Sequence, residues 1–201
     1  MMMRRRLIQL YAGLLLYGLA SALMLRSGLG LDPWGVFHQG LEKHTGLTFG
    51  TVVLIVGVVV MLLWIPMRQR PGLGTISNML LIGIASDAAL ALIGPPVWIP
   101  ARIAMLISGI VLCGVASAAY IGAGFGPGPR DGLMTGLVAR TGLSIRLVRT
   151  TIELCVLAGG WLLGGTVGLG TVLFAFGIGS LVQFFLAMMD HRPAPLRPRL
   201  T

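Results

Sequence analysis

The apolar residues of this chain gather into six runs of about twenty, the length that crosses a hydrocarbon layer about 30 Å thick. They fall at 7–25, 47–66, 74–93, 103–122, 146–164 and 170–189. A soluble domain carries about 25% charged residues; here 10% are charged and 56% are hydrophobic. The pattern predicts a polytopic membrane protein and excludes a water-soluble domain.

The runs are not independent. Gly28–Gly46 (GLGLDPWGVFHQGLEKHTG) returns at an offset of 96 residues as Gly124–Gly142 (GFGPGPRDGLMTGLVARTG). Gly28, Gly30, Pro33, Gly40, Leu41, Thr45 and Gly46 fall on Gly124, Gly126, Pro129, Gly136, Leu137, Thr141 and Gly142. Outside that stretch, Gly13 matches Gly109, Gly72–Thr75 (GLGT) matches Gly168–Thr171, and Gly83 matches Gly179. An ungapped match over Leu7–Leu90 and Ile103–Leu186 indicates duplication. The repeat also decides the amino terminus. MMMRRR, an apolar run and Ala20-Ser21-Ala22 mimic a cleavable secretory signal. Gly18–Ala22 recurs inside the chain as Gly114–Ala118, so these small residues read as helix-packing surface and the first span is retained.

Charge chooses the topology. With six spans and an internal amino terminus, Arg4–Arg6, Arg68, Arg70, Arg130, Arg140, Arg146, Arg149, Arg192, Arg197 and Arg199 are cytoplasmic, and only Arg26, Lys43 and Arg102 are external. That bias fits the positive-inside rule. Eight crossings would weaken it, and would drag Arg130 and Asp131 through lipid at about 2.5–3.5 kcal/mol each. The expected fold is all-α: six transmembrane helices as two inverted three-helix repeats, each with a short re-entrant or interfacial helix. Residues 1–6 form a cytoplasmic start, 7–93 the first repeat (short helix 33–44), 94–102 an external loop, 103–189 the second repeat (short helix 129–140), and 190–201 a disordered cytoplasmic tail.

Pro33 and Pro129 suit a first helical turn, where an N–H would go unpaired anyway. Asp32 stands at the cap position of the first short helix and Gly128 at that of the second. Twelve helical residues and an extended lead-in reach mid-bilayer and return. As re-entrant elements, these helices would aim their positive amino ends at a polar pathway; as interfacial ones, they would lay the stripes Trp34/Phe37/Leu41 and Leu133/Met134/Leu137/Val138 on the membrane surface. Periodicity fits both; the glycine-rich lead-in favours the first.

Polar groups inside apolar spans are candidate sites. Asp87 and Gln183 are equivalent by the repeat. Glu153 lies one turn beyond Arg149, a spacing that also suits a structural ion pair. Arg130 and Asp131 open the second short helix, where Trp34 and Gly35 stand in the first. Being adjacent, they point in different directions, so a mutual pair is not assured; Arg130 at a helix amino end would attract an anion. The candidate pathway is Asp32, Pro33, Gly126, Pro129, Arg130, Asp131, Asp87, Glu153 and Gln183. His38, Glu42 and His44 read as solvated faces, Ser77 and Asn78 as helix-bonding groups, and Cys113 and Cys155 as small buried apolar residues. No metal-ligand spacing, catalytic constellation or phosphate-binding loop occurs. The expectation is no cofactor, no metal and no enzyme. The net charge of +9 sits in arginines flanking spans, which argues against nucleic acid.

At GLGLDPWGVFHQGL, RPGLGT and GAGFGPGPRDGLMTGL the chain resembles the YczE/YitT-type family of bacterial integral membrane proteins, in its YczE-like branch without a soluble carboxy-terminal domain. The resemblance implies a multi-pass protein of the bacterial inner membrane, treated as uncharacterised or as a candidate transporter, and brings no substrate or site residue. The expected function is a transporter or channel-like permease for a small anionic or zwitterionic solute, with both termini cytoplasmic; homo-oligomerisation is left open. The alternative is a non-transporting accessory or scaffold protein that regulates another complex. An intramembrane enzyme acting on a lipid-linked substrate is a third class. Short-helix amino ends converging on a polar cavity would favour transport, and a dry glycine-packed repeat interface would favour the scaffold.

Overall fold

The computed structural model describes residues 2–189; the tail expected at 190–201 lies outside the described residues. Nine helices form among them: α1 Met2–Ser27, α2 Pro33–Thr45, α3 Phe49–Leu62, α4 Trp64–Met67, α5 Leu73–Leu92, α6 Ile99–Ala123, α7 Pro129–Thr141, α8 Ile145–Leu162 and α9 Leu169–Met189. The short helices end one residue past the expected 44 and 140. Both ends are set by a left-handed glycine, Gly46 (φ +69°) and Gly142 (φ +69°), a conformation that costs glycine little.

Five stretches are long and apolar enough to cross a bilayer: α1, the α3–α4 stretch Phe49–Met67, α5, α6 and α9. The run expected at 146–164 forms α8, which is helical over 18 residues but carries Arg146, Arg149 and Glu153. Those charges lower its apolarity below that of the other five. The expected span at 47–66 breaks at Leu63, and the loop at 94–102 is shortened because α6 absorbs Pro100 in its first turn.

The centre of the molecule is the pair α1 and α6, which run antiparallel. Arg6 Nε, near the start of α1, donates to Ala123 O at the end of α6 (2.8 Å), and Arg102 Nε, near the start of α6, donates to Ser27 O at the end of α1 (2.7 Å). Their second nitrogens reach Gly124 O and Gly28 O (3.1 and 2.9 Å). Each pair of bonds maps onto the other by the 96-residue offset. A guanidinium at a helix carboxy end satisfies carbonyls that no further turn can reach and offsets the negative end of the helix dipole. Small residues let the two backbones close: a Cβ on Gly13 would lie 2.9 Å from Ala119 Cβ, and one on Gly109 would lie 2.7 Å from Met24. The buried core follows this seam through Leu10, Leu14, Ala20, Leu106, Cys113 and Ala116.

The repeated glycine motifs meet each other crosswise. Gly30 and Gly126 share φ +114°, beyond the reach of ordinary L-residues. This turns the preceding carbonyl outward, so that Leu29 O accepts from Gly170 N (2.8 Å) and Phe125 O accepts from Gly74 N (2.8 Å). The lead-in of each half is thus held by the GLGT segment of the other half.

Candidate functional site

The crosswise clasps deliver the chain inward to Pro33 and Pro129, both buried at the first turns of α2 and α7. The carboxy ends of these helices are open, with free space around Gly46 and Gly142. Their amino ends therefore point into the protein, and the side chains there build the site.

Asp32 is the residue that precedes α2, but its carboxylate does not cap that helix. It turns to α7 and pairs with Arg130 Nη1 at 3.3 Å. Arg130 Nη2 donates to Tyr17 Oη of α1, and the guanidinium lies 5.8 Å from the Tyr17 ring centre and 5.5 Å from that of Trp34. Aromatic faces at that range attract a cation. Asp131 points elsewhere, as adjacency requires, and its Oδ2 accepts from Tyr120 Oη of α6 at 2.9 Å. The two tyrosine rings meet edge-on at 6.3 Å. One network therefore joins α1, α2, α6 and α7. Trp64 fixes it from the side: its Nε1 donates to Pro129 O at 3.0 Å, and its ring lies so close over Gly132 that no Cβ would fit.

Two cavities meet at Arg130. The smaller, about 50 Å³, is bordered by Asp32, Trp34, His38, Phe49, Asn78 and Ile82. The larger, about 240 Å³, lies between α8 and α9 and extends from Tyr17, Asp131 and Arg130 to Arg149, Glu153 and Gln183. Both include Tyr17, Trp34, Asn78, Pro129 and Arg130. A few waters fit the first, since one water needs about 10–15 Å³.

Of the expected pathway residues, Asp32, Pro129, Arg130, Asp131, Glu153 and Gln183 border this space. Glu153 also pairs with Arg149 at 3.5 Å, the structural reading of that spacing. Pro33 starts α2, is buried and borders neither cavity. Gly126 stands apart, packed on Gly72 and Thr75. Asp87 also stands apart: its carboxylate caps α3, accepting from Gly50 N at 2.7 Å and from Thr48 Oγ1 at 2.5 Å. Two further expectations change. His38 is buried, edge-on to Phe49 at 5.9 Å, rather than solvated, and Cys155 is exposed on α8 while Cys113 is buried. Tyr17 and Tyr120 were not singled out by sequence. Each is a phenol in an otherwise apolar span, and each loses its hydroxyl in the other repeat, where Cys113 and Met24 stand.

Among the described residues no cluster of three or more His, Cys, Asp or Glu could hold a metal ion. The three cations expected outside are all engaged at helix carboxy ends: Arg26 on Leu90 O, Lys43 on Gly164 O and Arg102 on Ser27 O. Arg140 binds Pro66 O at the end of α4 in the same way. These charges stabilise helix ends, whereas Arg130 is held by Asp32, Tyr17 and Trp34.

No solved structure matches the chain. An uncharacterized protein of Haemophilus influenzae is 42% identical over 176 residues, covering 88% of this chain and 81% of the relative. The uncharacterized membrane protein YczE of Bacillus subtilis is 34% identical over 178 residues, with 88% and 83% covered. The uncharacterized protein YyaS of Bacillus subtilis is 27% identical over 183 residues, with 89% and 91% covered. Residues 4–187 match the family of unknown function DUF6198. The chain belongs to this family of YczE-like membrane proteins.

Proposed function

We propose that the chain is an inverted-repeat membrane transporter that moves a small zwitterionic solute between its two halves. The observation that carries this reading is the Arg130–Asp32 bridge, where the amino ends of α2 and α7 meet between a small, mainly apolar cavity and a larger one edged by charged side chains. On this reading α2 and α7 are re-entrant, α8 is the sixth span, and both termini are cytoplasmic. The antiparallel α1–α6 pair with reciprocal arginines supports the inversion. Opposed charges favour a zwitterion over a simple anion: Arg130 and Arg149 stand against Asp131 and Glu153 around the larger cavity. No enzymatic role is assigned.

The dry, glycine-packed α1–α6 seam favours the alternative of a non-transporting scaffold. The polar space flanking that seam favours transport. Uptake of radiolabelled zwitterions and anions into vesicles containing the purified protein separates the two. A zwitterion should accumulate, and Arg130→Ala should slow it more than tenfold while the protein still inserts. Absence of uptake across the panel leaves the scaffold. Cysteine labelling should place Gln69 inside and Pro96 outside; the reverse would refute the inversion.

A further inference from the structure

The larger cavity is bounded unequally. In the first repeat α3 packs against α5, and a Cβ on Gly50 would overlap the Gly83 carbonyl. The corresponding helices α8 and α9 make no comparable contact, and Gly179, the counterpart of Gly83, has open space around it. Between α8 and α9 the cavity is edged by Ile152, Phe174, Ile178, Gly179 and Val182. Deeper in, it becomes polar at Arg130, Asp131, Glu153 and Ser117. The outer faces beside the gap are apolar: Leu154, Trp161, Phe176 and Phe184 are all exposed. In a bilayer such faces meet acyl chains, because water would have to solvate them at a cost proportional to their area. A slot between two lipid-facing helices therefore opens sideways into lipid.

We infer that this cavity binds an amphiphile with a zwitterionic headgroup, seated head inward and tail out through the gap between α8 and α9. The inference rests on the pathway reading of the cavity and narrows its solute to a lipid-like class. A cationic headgroup nitrogen faces Asp131 and Glu153, and an anionic group faces Arg130 and Arg149. The tail lies along Ile152, Ile178 and Val182. Under the orientation proposed above, Arg149 lies near the cytoplasmic end of α8, so the slot faces the inner leaflet.

The test uses the full chain in phosphatidylcholine vesicles doped with phosphatidylethanolamine bearing a diazirine on one acyl chain. After irradiation, adducts mapped by peptide mass should concentrate on Ile152, Phe174 and Val182. Gly179→Phe and Gly179→Trp place bulk in the slot at a position with free space, and should lower these adducts about tenfold. A diazirine-bearing diacylglycerol, which lacks the headgroup, should label the slot several-fold less. Adducts spread evenly over the exposed faces of α5 and α9, or equal labelling by diacylglycerol, would overturn the inference. The transport reading fails separately. Slot labelling without solute or lipid movement leaves a binding site and removes the transporter; uptake of water-soluble glycine betaine with even labelling does the reverse.

Discussion

The two repeats share a scaffold and differ in how their third and fourth elements close. In the first, α3 is held to α5 by the Gly50–Gly83 approach and by Asp87, which caps α3 from α5. In the second, Arg146, Gly179 and Gln183 occupy the equivalent positions, and α8 stands away from α9. The reason lies across the repeat boundary. Trp64 of α4 fills the space over Gly132 of α7, keeping those backbones apart. At the equivalent contact the sizes are exchanged: Gly160 of α8 lies against the backbone of Val36 and Phe37 in α2, where a Cβ would come within 2.5 Å of Phe37 N. Helix α8 is thus drawn to α2 and leaves α9, while α3 is held off α7 and stays with α5. One large-for-small exchange converts a duplicated frame into a closed side and an open side.

The largest effect expected from breaking this comparison is at Trp64. Trp64→Ala removes a buried indole and its bond to Pro129 O, and should cost about 3–5 kcal/mol, read by unfolding in detergent. Gly83→Ala should follow, losing about 1–3 kcal/mol by overpacking on the Gly50 backbone. Its mirror, Gly179→Ala, meets nothing and should be neutral or slightly stabilising; equal losses at both would mean that the repeats close alike. Asp87→Ala should cost about 1–2 kcal/mol through the lost cap of α3, with accelerated amide exchange confined to the first turn of α3. The smallest losses, about 1 kcal/mol each, are expected from Arg6→Ala and Arg102→Ala. Their near equality tests the shared frame, and a threefold disparity would break it.

The frame was legible in sequence because its requirements are local and repeated. Gly30 and Gly126 need the same left-handed turn, and Pro33 and Pro129 the same first helical position, so duplication preserved them visibly. The helix breaks at Leu63 and the start of α6 at Ile99 were not, because Pro66 and Pro100 each suit either a loop or a helix's first turn. The site was half legible. Arg130 and Asp131 stand out by charge, but Asp32 gave the signature of a cap and acts as the partner of an arginine 98 residues away. Asp87 is the reverse: an intramembrane carboxylate that suggested a pathway serves as the cap of a helix 37 residues earlier. Side-chain direction decided both, and it depends on which helix lies opposite, which spacing along the chain does not encode.

The crosswise clasp has a consequence for assembly. Leu29 finds its hydrogen-bond donor at Gly170, and Phe125 finds its own at Gly74. During synthesis the first lead-in therefore waits, with the Leu29 carbonyl lacking this donor, until Gly170 has emerged. Neither half supplies its own closure. Before the duplication, the same bonds would have joined two separate copies. Expressed as fragments 1–96 and 97–201, the halves should be degraded alone and survive only when made together.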